Sequence, residues 1–214
     1  MGEPVAFGAG FIALLFVCFS TYIGRTFYAY AAVGGQLLAL VGLAQRTDGF
    51  AIAEKGPLTG TAVIGGRGWI VSVIVLVAWY VAPSLLGLAG AALIASGNPW
   101  AVLLAVTIFS LLALVAARGP LAFTIPLLVI LGLGAALFYG SGQQQAFAAT
   151  FVVWFLLIAG AVWAFRLPAG GGSNTLAGKT LIPGVVWQLL FIVVAIVDLF
   201  VGGQLLLRPG FDVV

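Results

Sequence analysis

Three polar side chains stand inside long apolar runs of this chain: Gln36, Gln188 and Asp198. A polar group held in hydrocarbon is costly, so each needs a reason to be there. Asp198, in VVAIVDLFVGG, falls near the middle of the last run. An acid at that depth costs roughly 2.5–3.5 kcal/mol on insertion scales. It fits either a proton or cation site or a protonated carboxyl that ties one helix to a neighbouring hydroxyl. Gln188 lies nearly three helical turns earlier and could share the Asp198 face. Gln36 belongs to FYAYAAVGGQLLAL, residues 27–40. There Ala31, Gly34 and Gly35 make a helix-packing surface. Ala31 and Gly35 have the small-xxx-small spacing that lets a second helix approach closely. Gln36 then reads as an interhelical hydrogen-bonding residue. Tyr28 and Tyr30, two apart, cannot share a face, and Tyr28 is expected as an interfacial anchor near a span end.

What is missing limits the chemistry further. The chain has no histidine and one cysteine, Cys18. A zinc site draws about three or four ligands from Cys, His, Asp and Glu. The acids are Glu3, Asp48, Glu54, Asp198 and Asp212, scattered along the chain. No metal site is therefore expected, and a serine–histidine nucleophile or bis-histidine haem is excluded. LAGKT at 176–180 lacks the first glycine of a phosphate-binding loop. No cofactor is expected, although a lipid or quinone in a groove needs so few fixed residues that its absence cannot be argued. The eight basic residues are dispersed, so nothing here grips nucleic acid.

The elements that must hold these residues are membrane spans. Of 214 residues, 64% are hydrophobic and 6% charged, against about 25% charged in soluble domains. A helix crosses a bilayer in about 20 apolar residues. That length predicts a single all-α transmembrane domain over 1–214, a polytopic helical bundle of seven spans: 5–23, 27–44, 69–95, 100–117, 120–139, 146–165 and 184–207. A tight turn at Gly24-Arg25-Thr26 separates the first two, and the count falls to six if they form one broken helix. Pro83 and Pro126 lie inside spans and kink them. In loop 45–68, FAIA and TAVI, with GPLTG between, could pair as a small β-hairpin. Loop 166–183 reads as flexible from its Gly, Ser and Pro content, and Gln143-Gln144-Gln145 as a solvated turn. Trp69, Trp100 and Trp187 sit at span ends as anchors. With the N-terminus in the cytoplasm and the C-terminus outside, Arg46, Lys55, Arg67, Arg118, Arg166 and Lys179 are cytoplasmic and only Arg25 and Arg208 are not. The expected location is a bacterial plasma membrane.

One family shares several of these pieces in the same order. They are the extended Gly60-Thr61, the stretch Trp79-Tyr80-Val81-Ala82-Pro83-Ser84-Leu85-Leu86-Gly87, and the loop from Ser173 to Ile182-Pro183-Gly184-Val185-Val186-Trp187. The pattern resembles the actinobacterial branch of the M50 family of membrane zinc metallopeptidases, the site-2-protease relatives. The resemblance implies a catalytic motif, His-Glu-Ala-Gly-His-Ala, at Ala31-Ala32-Val33-Gly34-Gly35-Gln36, where only Gly34 matches. Ala31 and Gly35 then replace zinc-binding histidines and Ala32 the catalytic glutamate. The family's third, acidic ligand would fall near Ser173-Asn174, which holds no acid. The implied reading is a pseudoprotease. The expectation is a non-enzymatic scaffold or accessory subunit, in contact with membrane lipids and other membrane subunits. The alternative is a small proton- or cation-linked transporter that uses Asp198.

Overall fold

Backbone polar groups in hydrocarbon must be satisfied within their own segment, so the long Leu, Val, Ile, Ala and Phe runs become helices. The computed structural model describes residues 3–19, 21–45, 49–52, 60–62, 68–166 and 172–207. In chain order these form α1 (Glu3–Phe19), α2 (Thr21–Gly42), β1 (Phe50–Ile52), β2 (Gly60–Ala62), α3 (Trp69–Ala95), α4 (Pro99–Ala116) and α5 (Pro120–Val129). A π-helical segment (Ile130–Gly134) joins α5 to α6 (Ala135–Tyr139); α7 (Gly142–Arg166), α8 (Gly172–Thr180) and α9 (Gly184–Leu207) follow. Five helices are long and apolar enough to cross a membrane: α3, α4, the continuous Pro120–Tyr139, α7 and α9. Val5–Cys18 in α1 is a shorter apolar stretch, and α2 has 22 residues. The fold is a polytopic helical bundle.

Helices α3 and α7 lie against each other at its centre; α2 and α9 pack on α3, α1 on α7, and α4 on α5 and α7. Glycine sets the closeness of these crossings. A methyl group at Gly87 of α3 would stand 2.9 Å from Leu157 of α7, and one at Gly90 2.6 Å from Val153. Leu157 also fills the notch at Gly202 of α9, where an added Cβ would be 2.7 Å from it. Trp154 lies against Gly10 of α1 and Gly203 of α9. Such contacts supply dispersion between helices, where lipid removes the hydrophobic drive.

The hairpin forms: β1 and β2 pair antiparallel, Phe50 with Ala62 and Ile52 with Gly60. It closes over the end of α4, where the Arg118 amide donates to the Phe50 carbonyl at 2.8 Å. Gly49 makes that approach possible. Its φ is +110°, and a Cβ there would meet the Ala116 carbonyl oxygen at 2.6 Å.

Four expectations need correction. The predicted turn at Gly24-Arg25-Thr26 lies inside α2, which already runs from Thr21. Gly24 is buried, with the Phe16 carbonyl oxygen 2.9 Å from where a Cβ would stand, so the glycine serves packing and not a turn. Tyr28 is no interfacial anchor: it is buried and stacked on Trp163 with ring centroids 5.8 Å apart. Loop 166–183 contains α8, anchored by buried Leu176 and by the Trp187 indole N–H donating to Thr180 Oγ1 at 3.0 Å. The glutamine run is the first turn of α7 and not a loop, although Gln143 and Gln144 are exposed as expected. Gln144 Oε1 accepts from the Ser141 amide at 2.8 Å, and Gln145 Nε2 donates to the Leu137 carbonyl at 2.8 Å. Residues 56–59 of the GPLTG turn, Arg46, Lys55, Arg67 and Arg208 lie outside the described residues.

Candidate functional site

Helix α2 presents its small residues in two directions. Gly35 faces α3, where a Cβ would collide with Ala82 and stand 2.9 Å from the Ala78 carbonyl oxygen. Ala31, Gly34 and Leu38, spaced at three and four residues, line a cavity of about 510 Å³ between α2, α3, α4, α5 and α7. A Cβ at Gly34 would meet the Phe109 ring of α4 at 3.0 Å. Ala32 is buried. Gln36 is only 4% exposed and is not without a partner. Next to this face the buried Tyr30 hydroxyl donates to Ser110 Oγ of α4 at 2.9 Å, tying α2 to α4. Sequence reasoning missed that pair; two hydroxyl residues at separate span positions carry no periodic signal of their meeting.

The second polar place is the α3–α9 crossing. Tyr80 and Ser84, one helical turn apart on α3, oppose Phe191 and Asp198, two turns apart on α9. Tyr80 stacks on Phe191 at 4.7 Å between centroids. Ser84 meets the Asp198 carboxyl group, and its hydroxyl reaches the Val81 carbonyl at 3.0 Å. A hydroxyl has one proton to give. The Ser84 hydroxyl therefore shares its proton between the Asp198 carboxyl group and the Val81 carbonyl. Asp198 is 4% exposed, and its Oδ2 is buried with no hydrogen-bond partner. Gly160 of α7 closes the site from a third side, 3.0 Å from Ser84 Cβ to a Cβ built on it. Pro83, beside Ser84, cannot donate to the Trp79 carbonyl, which leaves one more backbone acceptor near this crossing. Gln188, half-buried near the start of α9, belongs to the same helix and has a partner of its own.

The two polar places remain separate, and neither gathers metal ligands. Among the described residues no three His, Cys, Asp or Glu side chains come together. At 31, 32 and 35 the side chains are methyl groups and a hydrogen, so the donor set on that face does not fit a zinc ion. Ser173 and Asn174 lie in α8, and their side chains are outside the described set.

Comparison with known proteins adds one finding. No curated protein and no solved structure matches the chain. A family model described as Peptidase M50B-like matches residues 38–202, more than three-quarters of the chain. That match overturns the expectation that the protein is not an enzyme, because the family is peptidase-like. The expectation rested on the absence of histidine, which bears only on chemistry that histidine performs. It also rested on residues 31–36, which lie upstream of the matched region. The match includes Gly60-Thr61, the Trp79–Gly87 stretch, α8 and the Pro183–Trp187 stretch. An integral membrane protein related to the site-2 proteases, the chain belongs to the Peptidase M50B-like family.

Proposed function

We propose that the protein works as a scaffolding or accessory subunit of a larger membrane complex, engaging partner subunits through its spans. The observation that carries this reading is where polar groups lie. The Tyr30–Ser110 and Ser84–Asp198 pairs face inward and tie spans together. The outward surface of α9 is apolar along its length, from Val185 and Leu189 to Val193, Ile196 and Phe200. A helix held from one side by α3 and α7 leaves that surface to another membrane helix or to lipid. The proposed setting is a bacterial plasma membrane with the N-terminus cytoplasmic, supported by the distribution of basic residues.

Purification in mild detergent with quantitative mass spectrometry tests the proposal. A stoichiometric membrane partner is expected, and its loss when Val193 and Phe200 are both changed to Ala would map it to α9. A protein that runs alone contradicts the proposal. The same preparation, offered a transmembrane peptide, reports whether the subunit also cleaves.

A second reading, proton or cation movement, is favoured by the unpartnered Asp198 Oδ2. Flux in liposomes that is present in the parent and absent in Asp198→Leu supports it. Absence of flux from both removes it.

A further inference from the structure

The cavity between α2, α4, the π segment and α7, about 510 Å³, does not fit a polar ligand. Tyr30 brings the sole polar side chain among the lining residues, and its hydroxyl is already given to Ser110. The rest of the wall is hydrocarbon and aromatic, with Phe16, Phe27, Phe109 and Phe155 among it. Its size lies within the roughly 300–1,000 Å³ of pockets that enclose small ligands.

Two features fix how the cavity is reached. Leu38, Leu86, Leu93 and Leu128 line it and are also exposed, so its mouth opens on the outer face of the spans, at the depth of the lipid tails. Gly132, in the middle of the π segment, also lines it, and a Cβ there would meet nothing within 4 Å. π turns inside α-helices occur frequently at functional sites. Here the widened turn puts a residue with no side chain at the opening. Left empty, such a space forfeits the dispersion contacts of its wall; open to a bilayer, it has hydrocarbon at its mouth.

We propose that this cavity is a binding site for one acyl chain of a membrane phospholipid, drawn in sideways while the headgroup stays at the membrane surface. The occupant is an acyl chain because the described wall residues offer no free polar side chain to receive a headgroup or a quinone ring.

The test is lipid retention. The full chain is purified from native membranes, washed exhaustively in short-chain detergent, and its bound phospholipid is quantified by mass spectrometry. About one phospholipid per chain is expected. Gly132→Leu, which fills the mouth, should lower occupancy at least fivefold. Leu112→Phe, on the outward face of α4, should leave it unchanged. No retained phospholipid, equal retention in Gly132→Leu and the parent, or a quinone or polyprenyl lipid in its place each overturns the proposal. Should Gly132→Leu fail to fold, the parent protein in liposomes with a phospholipid carrying a photoreactive acyl chain decides the matter. Adducts on Val106, Leu133 and Val152 support the site. Adducts confined to outward residues such as Leu112 and Val193 refute it.

Discussion

Asp198 is surrounded by spans yet has an oxygen that nothing satisfies. Leaving a buried polar atom unpaired costs about 1–3 kcal/mol, whereas an apolar group of similar shape can be neutral or stabilising. Asp198→Leu should therefore keep or raise stability, by up to about 3 kcal/mol, in a detergent-denaturation midpoint. Ser84 retains its bond to Val81 in that variant. A fall of more than about 2 kcal/mol would instead make Asp198 the tie that holds α9 to α3. A stability gain in Asp198→Leu would point to a functional use for this intramembrane acid. That Asp198 is an intramembrane acid was legible in the sequence. Its facing Ser84 was not, because periodicity gives the face of each helix but not which helix it meets.

At the level of elements, length and apolarity marked the spans from α3 onward, and alternation with turn residues marked the hairpin. Two elements were harder to read. The division of α1 from α2 was placed several residues late, since Gly24 suits either a turn or a close crossing and only the opposing Phe16 decides. Helix α8 was hidden by its glycines and serine. Its stability comes from tertiary contacts, through buried Leu176 and the Trp187–Thr180 hydrogen bond. Trp187→Phe keeps the ring and removes the N–H donor. It should destabilise α8 locally by about 1 kcal/mol. Hydrogen exchange should then quicken several-fold at Ala177–Thr180 amides and stay unchanged in α3 and α7.

For the molecule as a whole, Leu157 is the side chain on which three spans converge, against Gly87 of α3, Gly202 of α9 and its own helix α7. Leu157→Ala should cost about 2–5 kcal/mol, read as a lowered thermal midpoint in mild detergent. Leu112→Ala, on the outward face of α4, should cost little. The candidate site was partly legible at this scale: the Trp79–Gly87 stretch pointed to the family, and it sits at the centre of the bundle. The cavity was not legible, because an empty volume depends on how several helices fail to meet and leaves no pattern in any one of them.

The place of Leu157 also bears on how the protein is made. Ribosomes deliver the chain from its N-terminal end, so α3 and α7 are offered to the bilayer ahead of α9. Until α9 arrives, Leu157 has its Gly87 notch but not its Gly202 notch, and the flank of α7 stands open. The packing around Leu157 is thus incomplete until α9 joins it. A translation product halted before α9 would present that open flank to membrane quality control.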